Sequence, residues 1–183
     1  MNWWMWIIAS LYFFLPGGLA NCAPVLTRKF RCLAFLGKPV DGGKMWKGKP
    51  LFGKNKTWRG LIMGAVFGVV VGLIQYAVQD SVSWLQLFEY SLVDGVVIGF
   101  LLGLGALLGD LGESFVKRRL NRAPGAPFVP FDQIDLVVGG LILVSIYIIL
   151  PWQVWVSLLI IMVPVHFLFN LLGYGLKLQK EWW

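Results

Sequence analysis

Long apolar runs separated by short polar stretches dominate the chain. Five of them, residues 3–20, 60–78, 92–109, 136–150 and 154–172, approach the roughly 20 helical residues needed to cross a bilayer's hydrocarbon core. None alternates with the period of two that barrel strands show, and lipid leaves only helices or closed barrels to satisfy the backbone. The fourth run is short, and Pro151-Trp152-Gln153 reads as a tight turn to the fifth. The pattern predicts an all-α integral membrane protein, one domain of five transmembrane helices over residues 1–183 with polar loops at 21–59 and 110–135.

Composition sharpens this. Of 183 residues, 58% are hydrophobic and only 14% charged, against roughly 25% charged in soluble domains. A soluble fold of this size could not bury so much apolar surface, which excludes a soluble enzyme or an ordinary nucleic-acid module. The net charge is nevertheless +7. All 16 Lys and Arg fall in residues 21–59, in 110–135 or after Gly173, and none in 79–91 or 151–153. The positive-inside rule makes those basic segments cytosolic, with the N-terminus outside and the C-terminus inside. Tryptophans agree: Trp3, Trp4, Trp84, Trp152 and Trp155 mark the outer boundary, and Trp58, Trp182 and Trp183 the inner one. The first run lacks a preceding basic segment and so reads as a retained span rather than a cleaved leader. Cys22 and Cys32 lie on the cytosolic side, where thiols stay reduced.

Glycine recurs at Gly60, Gly64, Gly68 and Gly72 on the second run and at Gly95, Gly99, Gly103, Gly105 and Gly109 on the third. Small residues at this spacing let helix backbones approach closely. Packing of that kind brings the inner ends of the two helices, and the polar loops they carry, together.

The second loop holds most of the candidate chemistry. If the third helix continues past the membrane, Asp110, Ser114, Lys117 and Arg118 share one face at i, i+4, i+7 and i+8. Pro124, Pro127 and Pro130 form a stiff return, and Asp132 and Asp135 stand one turn apart at the start of the next helix. Acids there also complement a helix dipole, but Asp110 arrives at the same depth from the antiparallel neighbour. Three carboxylates beside four cations suit a metal-bound phosphate, because carboxylates plus substrate phosphate are what Mg²⁺ prefers.

The first loop interleaves glycines and lysines in GKPVDGGKMWKGKPLFGKNKTWRG, residues 37–60. Glycine amides and lysines suit phosphate oxygens; a polybasic strip for anionic headgroups is the plainer alternative. Gly48–Asn55 nearly matches a Walker A loop, but Asn55 replaces the required Ser or Thr and no strand precedes it, so a P-loop NTPase is excluded. Lys54, Asn55, Lys56 and Thr57 still precede a helix N-terminus. His166 and Asn170, at i and i+4 in the fifth run, read as an interhelical hydrogen bond, and Asp94 as a solvated helix start.

GD-x3-S-x2-KRR followed by P-x-DQ-x-D, together with GKNKTWRG and five apolar runs, resembles the CDP-archaeol synthase family, archaeal relatives of the CDP-diacylglycerol synthases. The resemblance spans nearly the whole chain. Where the longer bacterial and eukaryotic enzymes carry D-R-x-D, this chain has Asp132-Gln133-Ile134-Asp135, which favours the archaeal branch. It implies transfer of a cytidylyl group from CTP to an unsaturated archaetidic acid, an isoprenoid ether-linked glycerol phosphate, with Mg²⁺, giving CDP-archaeol and pyrophosphate. On that basis Asp110, Asp132 and Asp135 hold one or two ions and, with Lys117, form the catalytic set. Ser114, Lys117 and Arg118 bind CTP phosphates, Asn55, Lys56 and Thr57 close over CTP, and Arg119 and Arg122 steer the lipid phosphate. The partners expected are CTP, that lipid phosphate and the bilayer, with no nucleic acid. The competing readings are a synthase acting on acyl phosphatidic acid and a non-catalytic anionic-lipid-binding protein; the D-G-x2-A-R pattern of CDP-alcohol phosphotransferases is absent.

Overall fold

The computed structural model describes residues 2–30, 33–123 and 126–175. Pro124, Arg31, Cys32, Lys177, Lys180, Trp182 and Trp183, used above for loop stiffness, charge or boundary, lie outside the described residues. Among the described residues six α-helices make up the fold: α1 (Trp3–Ala20), α2 (Ala23–Lys29), α3 (Trp58–Val78), α4 (Leu92–Arg119), α5 (Phe131–Val144) and α6 (Trp152–Gly175). Among the described residues, α1, α3, α4 and α6 are long and apolar enough to cross a membrane. A two-residue hairpin in the first loop, β1 (Met45–Trp46) and β2 (Lys49–Pro50), pairs Met45 with Pro50 and Trp46 with Lys49.

Helix α4 is the axis of the bundle. Ser91 caps its start, accepting from the Asp94 amide at 3.1 Å while the Asp94 carboxylate accepts from the Ser91 amide at 2.8 Å. The helix then runs unbroken through Gly109 to Arg119, about 42 Å at 1.5 Å per residue. Its apolar part therefore ends near Asp110, and the last turns project as a polar helix.

Two neighbours of α4, α3 and α5, pack against it through missing side chains. A Cβ on Gly103 would sit 2.9 Å from Gly64 O and 3.0 Å from Gly68 Cα, and one on Gly95 would sit 2.9 Å from Gly72 O. Across the other face, a Cβ on Gly105 would meet Gly140 Cα at 2.8 Å, and one on Gly109 would meet the Asp135 carbonyl carbon at the same distance. Opposite its glycines, α3 exposes Ile62, Val66, Val70 and Ile74. An exposed apolar row facing away from the bundle is what a lipid-facing surface requires. The buried interior is built from Phe13, Phe14, Ile98, Leu102, Val137, Leu141, Val144, Val154 and Leu158.

The fourth element departs from the expected 136–150 helix. It starts at Phe131, ends at Val144, and at about 21 Å falls short of the ~30 Å hydrocarbon core. The following backbone tightens into turns, with Tyr147 N donating to Val144 O at 2.9 Å and Ile146 N to Leu143 O at 3.2 Å. Pro151 disfavours helix at the residue before it, and the unwinding lets Tyr147 Oη donate to Asp94 Oδ1 at 2.8 Å. Asp94, expected as a solvated helix start, thus also fastens two elements at this end.

Candidate active site

The site forms where the polar end of α4 meets the N-terminus of α5, covered by the first loop. On α4, Asp110, Glu113, Ser114, Lys117 and Arg118 face one cavity of about 420 Å³. Asp132 and Asp135 enter from α5, Phe52 to Lys56 from the loop, Asn21 and Arg28 from the α1–α2 corner, and His166 and Asn170 from α6. Five cations and four carboxylates thus share one wall system.

Two charge clusters divide it. Asp110, Glu113 and Asp135 each bring a carboxylate oxygen within 4.8 Å of the others. Lys56 Nζ bridges both Asp110 oxygens at 2.5 Å, and the Asp135 carboxylate accepts from the Leu136 amide at 2.6 Å. Like charges this close in a half-buried setting favour a cation between them, and the oxygen-only donor set suits a hard divalent ion. In the second cluster Lys117 Nζ contacts Glu113 at 2.8 Å and also pairs with Asp132. Asp132 further accepts from the Phe128 amide at 2.6 Å. Lys117, Arg118 and Ser114 are nearly buried, at 8%, 9% and 6% exposure, and the Arg118 Nε has no hydrogen-bond partner among the described residues. A buried guanidinium edge facing a cavity is a ready anion receptor.

The loop that covers the cavity is closed at its neck, where Val40 N donates to Lys56 O at 2.8 Å and Trp58 N to Lys38 O at 3.1 Å. Asp41 organises its interior, accepting from the amides of Gly43 (2.9 Å), Phe52 (3.0 Å) and Gly53 (3.1 Å). Burial would push its carboxyl up, but those amides outweigh it and hold the group below the ordinary carboxylate range. Lys47 and Gly48 both take positive φ, 51° and 75°, as a two-residue hairpin turn of the primed kind requires.

The structure brings together most of the residues expected from sequence. Asp110, Asp132, Asp135, Ser114, Lys117, Arg118, Asn55 and Lys56 all line the cavity. Three others have different partners among the described residues. Thr57 caps α3, accepting from the Gly60 amide at 3.3 Å. Arg122 donates to Pro127 O at 2.8 Å and lies over the Phe128 ring. Arg119 donates to hairpin carbonyls. Sequence reasoning missed Glu113, although it sits at i+3 from Asp110 and i−4 from Lys117, on the same helical face. It also missed Arg28 and Asn21, whose place depends on how α1 and α2 turn and carries no local signal. His166 and Asn170, read as an interhelical bond, belong to the cavity wall.

The family model described as CarS-like, CDP-archaeol synthase, matches residues 4–183. The chain belongs to the CDP-archaeol synthase family. It is 37% identical to the CDP-archaeol synthase of Methanocaldococcus jannaschii over 179 residues, covering 97% of each chain. It is 34% identical to that of Pyrococcus furiosus, over 97% of this chain and 98% of the relative. A solved structure of an intramembrane enzyme for archaeal membrane lipids biosynthesis superposes with a TM-score of 0.67 at 31% identity, covering 88% of this chain and 92% of that one. In this member of the CDP-archaeol synthase family the paired charge clusters sit on a helical scaffold like that of the intramembrane enzyme.

Proposed function

We propose that the protein is a CDP-archaeol synthase, transferring the cytidylyl group of CTP to an isoprenoid ether-linked glycerol phosphate and releasing pyrophosphate. One observation carries the mechanism: a polyanion-sized cavity at one end of an apolar bundle, walled by five cations and four carboxylates. That end is the cytosolic one, with five membrane-inserted segments, the N-terminus outside and the C-terminus inside; the one-sided Lys and Arg distribution supports this.

Asp110, Glu113 and Asp135 would hold a divalent ion, Mg²⁺ by donor type. Bound there, it would neutralise phosphate oxygens and help align them for in-line displacement. Asp132 is the fourth carboxylate, and through its pair with Lys117 it orients that ammonium toward the cavity. Arg118, Ser114 and Lys117 receive CTP phosphates from the α4 side, and Lys54, Asn55 and Lys56 from the loop. An oxygen of the lipid phosphate attacks the α-phosphorus; the bond from that phosphorus to the β-bridging oxygen breaks, and pyrophosphate leaves with the electron pair. The attacking monoester has a second pKa near 6, so at neutral pH it is mostly a dianion and needs no base. What the protein must supply is positive charge held in place before the reaction begins.

Radiolabelled CTP, Mg²⁺ and each lipid phosphate incubated with purified protein test the reading. The expected product is a CDP-lipid from the isoprenoid ether substrate, lost on chelation by EDTA. Absence of any CDP-lipid from either substrate would sink the enzymatic reading, and product from acyl phosphatidic acid alone would sink the archaeal one.

A further inference from the structure

Arg119 sits one residue beyond the cavity-lining Arg118, yet its guanidinium turns to the first loop. Nη1 donates to Trp46 O at 2.6 Å, and Nη2 donates to Lys49 O at 3.3 Å and to Pro50 O. The planar group lies 5.3 Å from the Trp46 ring centroid and 5.1 Å from that of Phe115, and those two rings stack at 5.5 Å. The contact is returned, since Lys49 Nζ donates to Arg119 O at 3.1 Å. A fork that reaches three carbonyls and stacks on two rings is a use that lysine cannot reproduce.

The position of this contact along the loop gives it meaning. The neck at Val40 and Lys56 and the Asp41 carboxylate that gathers the Phe52 and Gly53 amides fix the loop to itself. Neither ties it to α4. Only five residues separate the Arg119-bound Pro50 from Lys56, which meets Asp110 on α4. The segment between carries Lys54 and Asn55 into the cavity. Arg119 is thus the tie nearest the hairpin between the loop and the helix that bears the carboxylates, alongside the Lys56–Asp110 pair and the Phe52–Phe115 ring contact at 6.4 Å.

We propose that Arg119 is a positioning residue for nucleotide binding: by clamping the 45–50 hairpin to the polar end of α4 it holds Lys54, Asn55 and Lys56 over the cavity. This rests on the CTP reading above and differs from the sequence-based expectation that Arg119 meets the lipid phosphate.

Two measurements on the full chain in detergent test it. Freeing the clamp displaces loop groups without removing them, and displacements near an ångström have large kinetic effects. R119A is expected to raise the KM for CTP by about tenfold or more, with the KM for the lipid phosphate unchanged and kcat at saturating CTP lowered far less. R119K should recover little of this. Without nucleotide, R119A should speed trypsin cleavage within the loop, after Lys44, Lys47 and Lys54, while cleavage outside the loop keeps its wild-type rate apart from the site that the substitution removes at residue 119. Trp46 is half-exposed, so W46A, which removes the stacking ring, is a second variant should R119A fail to fold, and it should shift both readouts the same way. A rise in the KM for the lipid phosphate alone, or full rescue by R119K, would overturn the proposal. Unchanged CTP KM and unchanged cleavage in a folded variant would do so as well. If the wild type makes no CDP-lipid, the functional reading fails, and the cleavage rates still decide whether the clamp exists.

Discussion

Glu113 changes what the carboxylates around it can do. Asp132 is held by Lys117 and a backbone amide, so the compact oxygen cluster is Asp110, Glu113 and Asp135. Glu113 belongs to both charge clusters, since it also meets Lys117 at 2.8 Å. E113Q keeps shape and removes one charge from the ion-binding group. Even outer partners of a metal site change affinity by roughly 10–100-fold when lost. E113Q should therefore raise the Mg²⁺ concentration for half-maximal activity at least about tenfold, read from initial rates against Mg²⁺; an unchanged curve would remove Glu113 from the site. This residue was within reach of helical spacing. The direction of Arg119 was not, because an arginine that follows Lys117 and Arg118 in sequence can face any of several partners, and only the folded hairpin supplies its carbonyls.

Glycines set distances at the scale of elements. The Gly109 backbone lies against the Asp135 carbonyl, and a Cβ there would stand 3.3 Å from Gly139 Cα as well. Because Asp110 follows Gly109 directly, the gap between the Asp110 and Asp135 carboxylates depends on the α4–α5 separation at this point. Overpacking a close contact costs about 1–3 kcal/mol. G109A should thus lower thermal stability and, by spreading the carboxylates, reduce turnover at least about tenfold, since small misplacements are kinetically costly. G112A is the matched comparison: a Cβ there meets nothing within 4 Å, and alanine favours helix by about 1 kcal/mol. Its melting temperature should hold or rise. Equal loss in both variants would remove the spacing argument. The repeat Gly64, Gly68, Gly72 announced the α3–α4 contact from sequence alone, because a four-residue period places them on one stripe; Gly60, next on that stripe, meets Pro24 of α2 instead. The early end of α5 was not announced. Apolar composition runs on through Leu150, and the stop arises from Pro151 acting backward and from Tyr147 reaching Asp94, a partner 53 residues away in sequence.

At the scale of the whole molecule, charge and apolar surface separate along one axis. Asp94 and Tyr147 fasten one end, and the cavity with its five cations and four carboxylates occupies the other. About 24 Å of α4 lies between Asp94 and Asp110 at 1.5 Å per residue, most of the ~30 Å of the hydrocarbon core. On the proposed reading the polar end of the bundle lies at a membrane boundary, within reach of a lipid phosphate whose chains remain in the bilayer. The consequence concerns voltage. A charge that crosses the whole membrane exchanges about 2.3 kcal/mol per 100 mV with the transmembrane potential. A nucleotide entering at the boundary traverses little of that field, and so does the departing pyrophosphate. In sealed proteoliposomes, an imposed 100 mV potential of either sign should change the turnover rate by less than about twofold. A rate that swings tenfold with voltage would mean that the phosphates move deep into the field. On this reading a cell with a collapsed ion gradient would still run this step at close to its full speed, as long as it has CTP, the lipid phosphate and the divalent ion.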